Sequence, residues 1–445
     1  MRFISFFSIV LTAILVAVSH YHHPDLAMVA LVQLSGLTLV LAGGAGLAIY
    51  IARAARFEAI PLHQVLMLAL VLRVLVWCGA PLLENDFFRY LWDAYRFAIS
   101  GTPYEGAPAG YWIDASVPPA FRAILQQINY PEIPTIYGPV TQLLFLLGYL
   151  IAPGQVAALQ ALNGLLDMGL IYLLARVGAK PRWLLLYAVS PLVLKECVMT
   201  AHPDGLLGIL LIGALVWARR SWLAGVLMGM ALACKVSALV VLPFLWKRAR
   251  WRGMVFAAVA VLLCYLPFIW QPGSELFALK TFARVWRFNP LLFGVIEQVV
   301  AADWVRPVAA LLLAVVLLAL YWRDWRASLQ TQRIAPADQA LGALLLLAPV
   351  VNAWYLLWFL PFAVLRPSRT AWAATVVVPL AYWNGANFGL SGQPQFGVPL
   401  WISAAELLVL GTMLYWDWRA PLMMSAMTSQ TVHDARHAMD VEQIK

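Results

Sequence analysis

Apolar runs long enough to cross a bilayer repeat along most of this 445-residue chain. The chain is 63% hydrophobic and only 11% charged. Because backbone polar groups in lipid must be satisfied within the chain, such runs are expected to form membrane-spanning helices. The sequence therefore predicts an all-α, polytopic transmembrane bundle of about 11 to 13 spans.

Basic residues lie mostly in the short loops between the apolar runs, so the net charge of +9 does not suggest a nucleic-acid partner. Such loops mark the cytoplasmic side of a membrane protein. The predicted inner clusters are Arg53/Arg56, Arg176/Lys180/Arg182, Arg219/Arg220, Lys247/Arg248/Arg250, Arg323/Arg326, Arg366/Arg369 and Arg419. This pattern predicts an inner (plasma) membrane protein with segment 81–137 on the external side.

The spans fall into two groups on either side of this external loop. The predicted spans are 3–19 (an uncleaved first helix), 27–52, 61–80, 156–175, 183–195, 204–218, 253–270, 304–321, 338–351, 354–366, 371–386 and 398–416. The loop 81–137 is too polar to cross and is rich in aromatic residues, so it is expected to carry one or two interfacial helices.

Three segments depart from simple spans. Run 138–152 must either re-enter the membrane or force a basic loop outward, and the sequence leaves both open. Stretch 221–246 carries Lys235 in its middle, which favours two half-length helices that meet near the outer face; the alternative is a snorkelling lysine on one helix. We expect a single transmembrane domain over 1–416 and a polar cytoplasmic tail over 417–445.

Ionisable and aromatic residues crowd together directly after the third apolar run. On a helix that begins near Asn85, Asp86, Arg89, Tyr90 and Asp93 recur at steps of three and four residues and so share one face. Charge at the mouth of a membrane helix indicates a functional site. Asp86 and Asp93 are the candidate catalytic carboxylates, although an ion pair with Arg89 or Arg96 would equally explain Asp93.

The order of motifs along the chain resembles one known superfamily. These motifs are Asp86…Arg89-Tyr90-x-Trp92-Asp93…Gly101-x-Pro103-Tyr104, Tyr130-Pro131…Tyr137-x-Pro139, His202-Pro203-Asp204, Ala233-Cys234-Lys235 and Trp354-Tyr355-x-x-Trp358. Together they resemble the polytopic GT-C glycosyltransferases over residues 60 to 365. Within them the chain is most similar to bacterial mannosyltransferases that use a polyprenyl-phosphate donor. Differences at Asp93-Ala94 and at 201–204 leave the sugar and the acceptor open.

The resemblance implies a reaction and a set of roles. The enzyme would move a hexose such as mannose from a polyprenyl-phosphate carrier to a lipid or glycan hydroxyl on the outer face. Asp86 would be the general base. Fixed cations would stabilise the leaving phosphate, and the candidates are Lys235, Arg284, Arg287 and His202. The candidate substrate-binding residues are Arg89, Tyr90, Trp92, Tyr137, Asp204, Trp354 and Tyr355.

No cofactor is expected. His202 and Asp204 give little support for a divalent metal, because two ligands and a distant carboxylate are too few. No Gly-rich phosphate loop precedes a helix, which agrees with a lipid-linked donor rather than a nucleotide sugar. The alternatives from other classes are a transporter or flippase of lipid-linked sugars, which should show internal symmetry, and an oligosaccharide ligase.

Overall fold

The computed structural model describes residues 1–21, 26–53, 55–271, 273–328, 334–383 and 397–419. Over these residues the chain is all-α, as predicted; its one β-type pairing is an isolated bridge between Phe288 and Val350. The helices are α1 Arg2–Ser19, α2 Leu26–Arg53, α3 Leu62–Trp77, α4 Phe87–Ser100, α5 Pro119–Leu125, α6 Pro139–Ile151, α7 Val156–Arg176, α8 Pro181–Val189, α9 Pro191–Val193, α10 Asp204–Val216, α11 Ser221–Cys234, α12 Leu242–Tyr265, α13 Glu275–Val285, α14 Leu291–Val299, α15 Ala302–Arg326, α16 Ala337–Leu346, α17 Leu360–Leu365, α18 Arg369–Val377 and α19 400–419.

Within the described residues, five helical segments are long and apolar enough to cross a membrane. They contain α1, α2, α7, α12 and α15, and a bent pair around residues 200–203 would bring the number to six. Several of the other predicted spans consist of shorter helices joined by 3-10 or π turns, such as Ala353–Trp358 before α17. The chain is thus a multi-pass membrane protein, and the count of about 11 to 13 spans stays a prediction.

The predicted break at Lys235 is confirmed. Helix α11 ends at Cys234, Lys235 is extended with φ −157° and ψ 132°, and a 3-10 turn over Val236–Val241 leads into α12. Helix α12 is itself interrupted at Arg250, whose φ of 56° lies in the left-handed region. The stretch from Ser221 to Tyr265 therefore folds as three pieces; Arg250 lies beside the first residue of α11, Lys235 follows its last, and the part of α12 after Arg250 runs parallel to α11.

Helix α6 covers the run 138–152, whose course the sequence left open. Its first residues lie beside the Lys235 break, where the Thr141 hydroxyl donates to the Cys234 carbonyl at 3.2 Å. The loop after its last residues lies against the 81–137 segment, since a Cβ at Gly154 would be 3.5 Å from Phe121. Both ends therefore contact parts of the predicted external side, which agrees with the alternative that 138–152 does not cross; its membrane topology stays a prediction.

Contacts between basic loops agree with the predicted topology. Arg182 pairs with Glu58 at 3.2 Å, and Arg248 forms a bidentate pair with Asp324, both bonds at 2.9 Å. Arg369 approaches Asp417, which lies in the last turns of α19. The Asp417 carboxylate also accepts a hydrogen bond from a backbone N–H of α18. Helix α19 thus continues through residue 419, and residues 420–445 of the predicted tail lie outside the described residues.

Segment 81–137, which the sequence predicts to be external, folds over one end of the bundle. Asp86 precedes the first residue of α4, and Gly101, with φ 74°, ends the helix in the left-handed conformation that glycine adopts readily. One face of α4 is buried in an aromatic cluster with α5 and α6, in which the Tyr95 and Phe121 rings stack at 4.1 Å. The predicted helix at this position is confirmed, and its buried face holds Asp86 against the membrane helices.

Close helix packing at Gly225 and Gly229 yields the first prediction. A Cβ at Gly229 would lie 2.5 Å from the Ala257 backbone oxygen, whereas a Cβ at Gly46 would meet nothing within 4 Å. Small residues spaced by four allow such close approach of membrane helices. Gly229→Ala should therefore destabilise the protein by about 1–3 kcal/mol. The measurement is thermal unfolding in detergent with Gly46→Ala as the matched control; equal midpoints for the two variants would contradict this packing.

Candidate active site

Asp86 stands at the start of α4 and is half-buried. Its backbone N–H donates to the Glu84 carboxylate at 2.8 Å, and its own carbonyl accepts from the Arg89 N–H at 2.9 Å. A hydrogen bond from Asn129 also reaches its carboxyl group. Asp86 thus combines a fixed backbone with a side chain that is not sealed in the core.

The protonation of the two acids differs. Burial, followed by the negative charge of Glu84, raises the pKa of Asp86 to about 6. Burial also disfavours ionisation of Glu84, but the adjacent His202 and Lys195 outweigh it and lower the pKa of that carboxyl below its usual value. A general base works best when its pKa lies near the working pH, so Asp86 is better suited than Glu84.

His202 is fully buried between protein groups. Its Nδ1 lies 2.7 Å from the Tyr90 hydroxyl, and its Nε2 lies 3.0 Å from Glu84. The imidazole ring stacks on Trp354, with ring centres 4.1 Å apart. Because both nitrogens face protein groups and the ring is inaccessible, the predicted role of His202 as a phosphate ligand does not fit the structure, and we exclude it from that site.

Lys235 lies in an aromatic and acidic box at the helix break. Its ammonium donates to Asp204 at 2.6 Å and lies 4.4 Å and 4.7 Å from the ring centres of Tyr355 and Trp358. The Trp358 indole N–H also donates to the same Asp204 oxygen, at 2.5 Å. The Lys235 side chain remains 23% exposed. Since Asp204 occupies one of its three donors, the ammonium retains capacity for an anion.

An aromatic wall separates the acid from the cation. The Tyr137 hydroxyl donates to Tyr90 at 3.4 Å, and the Tyr90 ring stacks on Phe145. The Tyr137 ring packs edge-on against Tyr90 at 5.4 Å, and Trp354, which stacks on His202, packs edge-on against Tyr355 at 6.0 Å. Tyr355 in turn lies 4.4 Å from the Lys235 ammonium, so these rings connect the two halves of the site. The predicted substrate residues Tyr90, Tyr137, Asp204, Trp354 and Tyr355 are thus brought together with Asp86 and Lys235.

Asp93 is held in a separate buried network on α4. Arg89 contacts it at 3.3 Å, and Gln142 donates to it at 3.1 Å and to Thr135 at 2.9 Å. The alternative that an ion pair with Arg89 explains Asp93 is therefore supported by the geometry. Arg96 instead pairs with Glu105 at 2.6 Å. A catalytic role for Asp93 stays an untested prediction, and it does not enter our mechanism.

Two further sets of predicted residues lie apart from this centre. Trp92 is 1% exposed and packs between Tyr95 and Tyr111, so its packing explains it without a substrate. Arg284 and Arg287 are exposed near the end of α13, and Arg287 pairs with Glu297 at 2.7 Å. The neighbouring Trp286 contacts Tyr130 of the external loop, which places both arginines at the rim.

Lys195, Glu196 and Tyr382 are site neighbours that the sequence reasoning missed. The Lys195 and Glu196 side chains, 0% and 1% exposed, join at 3.0 Å, and the Tyr382 hydroxyl donates to Glu196 at 2.8 Å. Adjacent charges inside an apolar run were the available signal. Glu84 lies two residues before Asp86, and Trp358 ends the Trp354-Tyr355-x-x-Trp358 motif, but nothing in the local sequence indicated their partners.

The described residues contain no group of three or more His, Cys, Asp or Glu side chains arranged to hold a metal ion. His202 and Asp204, the two weak candidates, are each committed to protein partners.

Comparison with known proteins identifies the family. The sequence profile of glycosyltransferase family 87 matches residues 135–378, more than half of the chain. The chain belongs to glycosyltransferase family 87. This is a family of polytopic membrane glycosyltransferases of the GT-C type, as the motifs predicted. No curated protein and no solved structure gives a significant match.

The matched region contains only part of the site of this glycosyltransferase. It includes His202, Asp204, Lys235, Trp354 and Tyr355, whereas the segment with Asp86 precedes it. The match supports the transferase reading and gives no support to the transporter alternative. The role of Asp86 depends on the geometry described above.

The pKa of Asp86 gives the second prediction. The predicted role of Asp86 as general base requires its ionised form, so kcat/KM for sugar transfer should fall as the pH drops through about 6. Below that pH the loss should approach about tenfold per pH unit. Initial rates from pH 4.5 to 8, with donor binding measured at each pH as the control, test this. A rate that stays constant down to pH 5 would contradict it.

Proposed function

We propose that this membrane glycosyltransferase transfers a hexose, such as mannose, from a polyprenyl-phosphate carrier to a hydroxyl group of a lipid or glycan. The observation that supports this most is the position of Lys235: a partly exposed cation at a helix break, across an aromatic wall from a half-buried acid with a pKa of about 6. A base, a phosphate-binding cation and aromatic side chains that can contact a sugar are what this reaction needs.

The surroundings of Lys235 favour a lipid-linked donor. Val236 and Leu239, which follow it directly, are 53% and 52% exposed in the apolar belt of the bundle. A phosphate held by the ammonium would therefore leave its prenyl chain against apolar side chains. Arg284 and Arg287 lie apart from Lys235, and Arg287 is paired with Glu297, so their predicted contact with the donor phosphate stays untested and is not used in the mechanism.

In the proposed mechanism Asp86 accepts the proton of the acceptor hydroxyl. The freed oxygen attacks the anomeric carbon of the donor sugar and forms the new glycosidic bond. The bond between that carbon and the phosphate oxygen breaks, and its electron pair leaves with the polyprenyl phosphate. Lys235 stabilises the charge on this leaving group. The proton on Asp86 then passes to solvent, which restores the base.

The aromatic wall would contact the two sugars. Tyr137 and Trp354 are partly exposed and can stack against a hexose ring, while Tyr90 and Tyr355 are buried behind them. Arg89 reaches the Ile133 carbonyl and keeps loop 129–136 close to this surface. The basic loops gather at the opposite end of the bundle, which supports a site on the periplasmic or external side of the inner membrane.

The third prediction concerns the base. Asp86→Asn preserves side-chain size but cannot accept a proton near neutral pH, so turnover should fall by about 10²–10⁴-fold. Donor binding and folding should be nearly unchanged. The measurement is transfer of radiolabelled mannose from polyprenyl phosphate in proteoliposomes, with a nucleotide sugar as the comparison donor. Asp114→Asn, in an exposed turn of the same external segment, is the matched control. Near-normal turnover in Asp86→Asn would refute the assignment.

The fourth prediction concerns the cation. Lys235→Met keeps the length of the side chain but removes its charge, so it should weaken use of the phosphate donor by at least about tenfold. The effect should appear in both KM for the donor and kcat, because the charge on the phosphate grows as the bond breaks. Lys180→Met, in a basic loop at the opposite end of the bundle, is the control. Unchanged kinetic constants in Lys235→Met would show that the phosphate binds elsewhere.

A further inference from the structure

Four ionisable side chains lie beneath Asp86 and take no part in the proposed reaction. They are Glu84, Lys195, Glu196 and His202, and we call them the buried support. Charges enclosed at membrane depth are costly unless each is paired, and they usually mark function. The question is what this set does for the site above it.

Glu84 links Asp86 to the rest of the buried support. One carboxylate oxygen accepts the Asp86 backbone N–H at 2.8 Å, while the other lies 3.0 Å from His202 Nε2. The preceding Leu83 has φ 74°, a left-handed conformation that costs free energy in a residue with a Cβ. Glu84 therefore spans two elements from a constrained backbone, and its reach sets the position of the first turn of α4.

His202 is fixed from four directions. Its ring stacks on Trp354, and its two nitrogens contact Tyr90 and Glu84. Its backbone N–H donates to the Glu196 carbonyl at 3.0 Å. Ala201 before it has φ 56°, again left-handed. A group held so firmly is suited to orient Glu84 and has no freedom to follow a substrate.

A π-helical turn over Leu194–Met199 supplies the lower part of the support. π turns are rare and occur frequently at functional sites. Here the turn brings Glu196 within 3.6 Å of His202 Nε2, and Lys195 within 3.0 Å of Glu196. Lys195 also donates to the Tyr382 hydroxyl at 2.9 Å, which ties the turn to the segment after α18.

The charged groups of the buried support pair with one another, and none of them neutralises Asp86. Lys195 neutralises Glu196, and His202 lies between Glu196 and Glu84 and can neutralise the latter. Arg89, the nearest guanidinium to Asp86, is already paired with Asp93. The ionisable groups that act on Asp86 or sense its charge are Glu84, Arg89, Tyr90, Tyr130, Tyr137, His202, Tyr355 and Tyr382.

We propose that Glu84 is a positioning residue for Asp86. His202, Glu196 and Lys195 hold Glu84 in place, and Glu84 in turn holds the backbone of Asp86 and presents a negative charge to its carboxyl group. This inference rests on the proposed function, in which Asp86 is the base. Glu84 thus has two separable effects: the length of its side chain holds the Asp86 backbone, and its negative charge acts on the Asp86 carboxyl group.

Two substitutions separate these effects. Glu84→Gln keeps the reach and removes the charge, so the acid limb of the pH–rate profile should move from about pH 6 down by about one unit. Glu84→Asp keeps the charge and shortens the side chain by one methylene. Its acid limb should stay in place while turnover falls by about tenfold, because the carboxylate no longer reaches both partners. A merely structural role would not produce this split.

The experiment compares full pH–rate profiles of the whole chain in proteoliposomes. Glu105→Gln, a more exposed carboxylate in the same external segment, is the matched control and should give the wild-type profile. Size-exclusion profiles and thermal unfolding confirm that each variant is folded. Wild-type turnover in Glu84→Asp would overturn the inference, as would an unshifted acid limb in a folded Glu84→Gln. Where Glu84→Gln does not fold, Glu84→Asp alone decides.

Asp86→Asn is measured alongside, so that failure of the Glu84 role can be distinguished from failure of Asp86 as the base. If it loses turnover while the Glu84 variants behave like wild type, the positioning role is refuted and the proposed function stands. If Asp86→Asn retains normal turnover, the proposed base is wrong and the role of Glu84 falls with it. The expected set is loss in Asp86→Asn, a shifted limb in Glu84→Gln, and a slower but unshifted Glu84→Asp.

Discussion

Charge inside an apolar bundle has to be paired, and much of this structure follows from that requirement. Arg73 of α3 binds Asp167 of α7 at 2.6 Å, and the Tyr187 hydroxyl of α8 donates to the same carboxylate at 2.7 Å. Arg73, Asp167 and Tyr187 thus join three helices at one buried point. Removing either charged partner would leave the other one buried and unpaired. Against this background, a half-buried acid and a partly exposed lysine stand out as groups kept available for a ligand.

The site is built where helices stop. Helix α11 ends before Lys235, the bent pair opens at residues 200–203, and a 3-10 turn begins after Asn352. Irregular backbone at membrane depth is tolerated where protein or a water-filled cavity surrounds it. Each break releases polar groups from helical pairing and lets one ionisable side chain face a common space.

The sequence predicted features that depend on local pattern. The all-α class follows from composition, the helix after Asn85 from the spacing of Asp86, Arg89 and Asp93, and the break at Lys235 from a charge in an apolar run. Partners far apart along the chain were beyond reach. Tyr382 and Glu196, for example, are 186 positions apart and meet only through packing of the whole bundle. His202 was assigned to phosphate because its type suits that role, but burial, which spacing does not reveal, decides otherwise.

The depth of Lys235 follows from the length of the helix beneath it. Helix α11 has 14 residues and begins directly after Arg219 and Arg220, the basic pair at the inner end. At about 1.5 Å per residue it rises about 21 Å, whereas the hydrocarbon core is about 30 Å thick. The ammonium would then lie several ångströms below the opposite head-group level. In the proposed reaction, a lipid phosphate would have to move below its resting plane to meet this ammonium, where the leaving oxyanion would have little water to stabilise it.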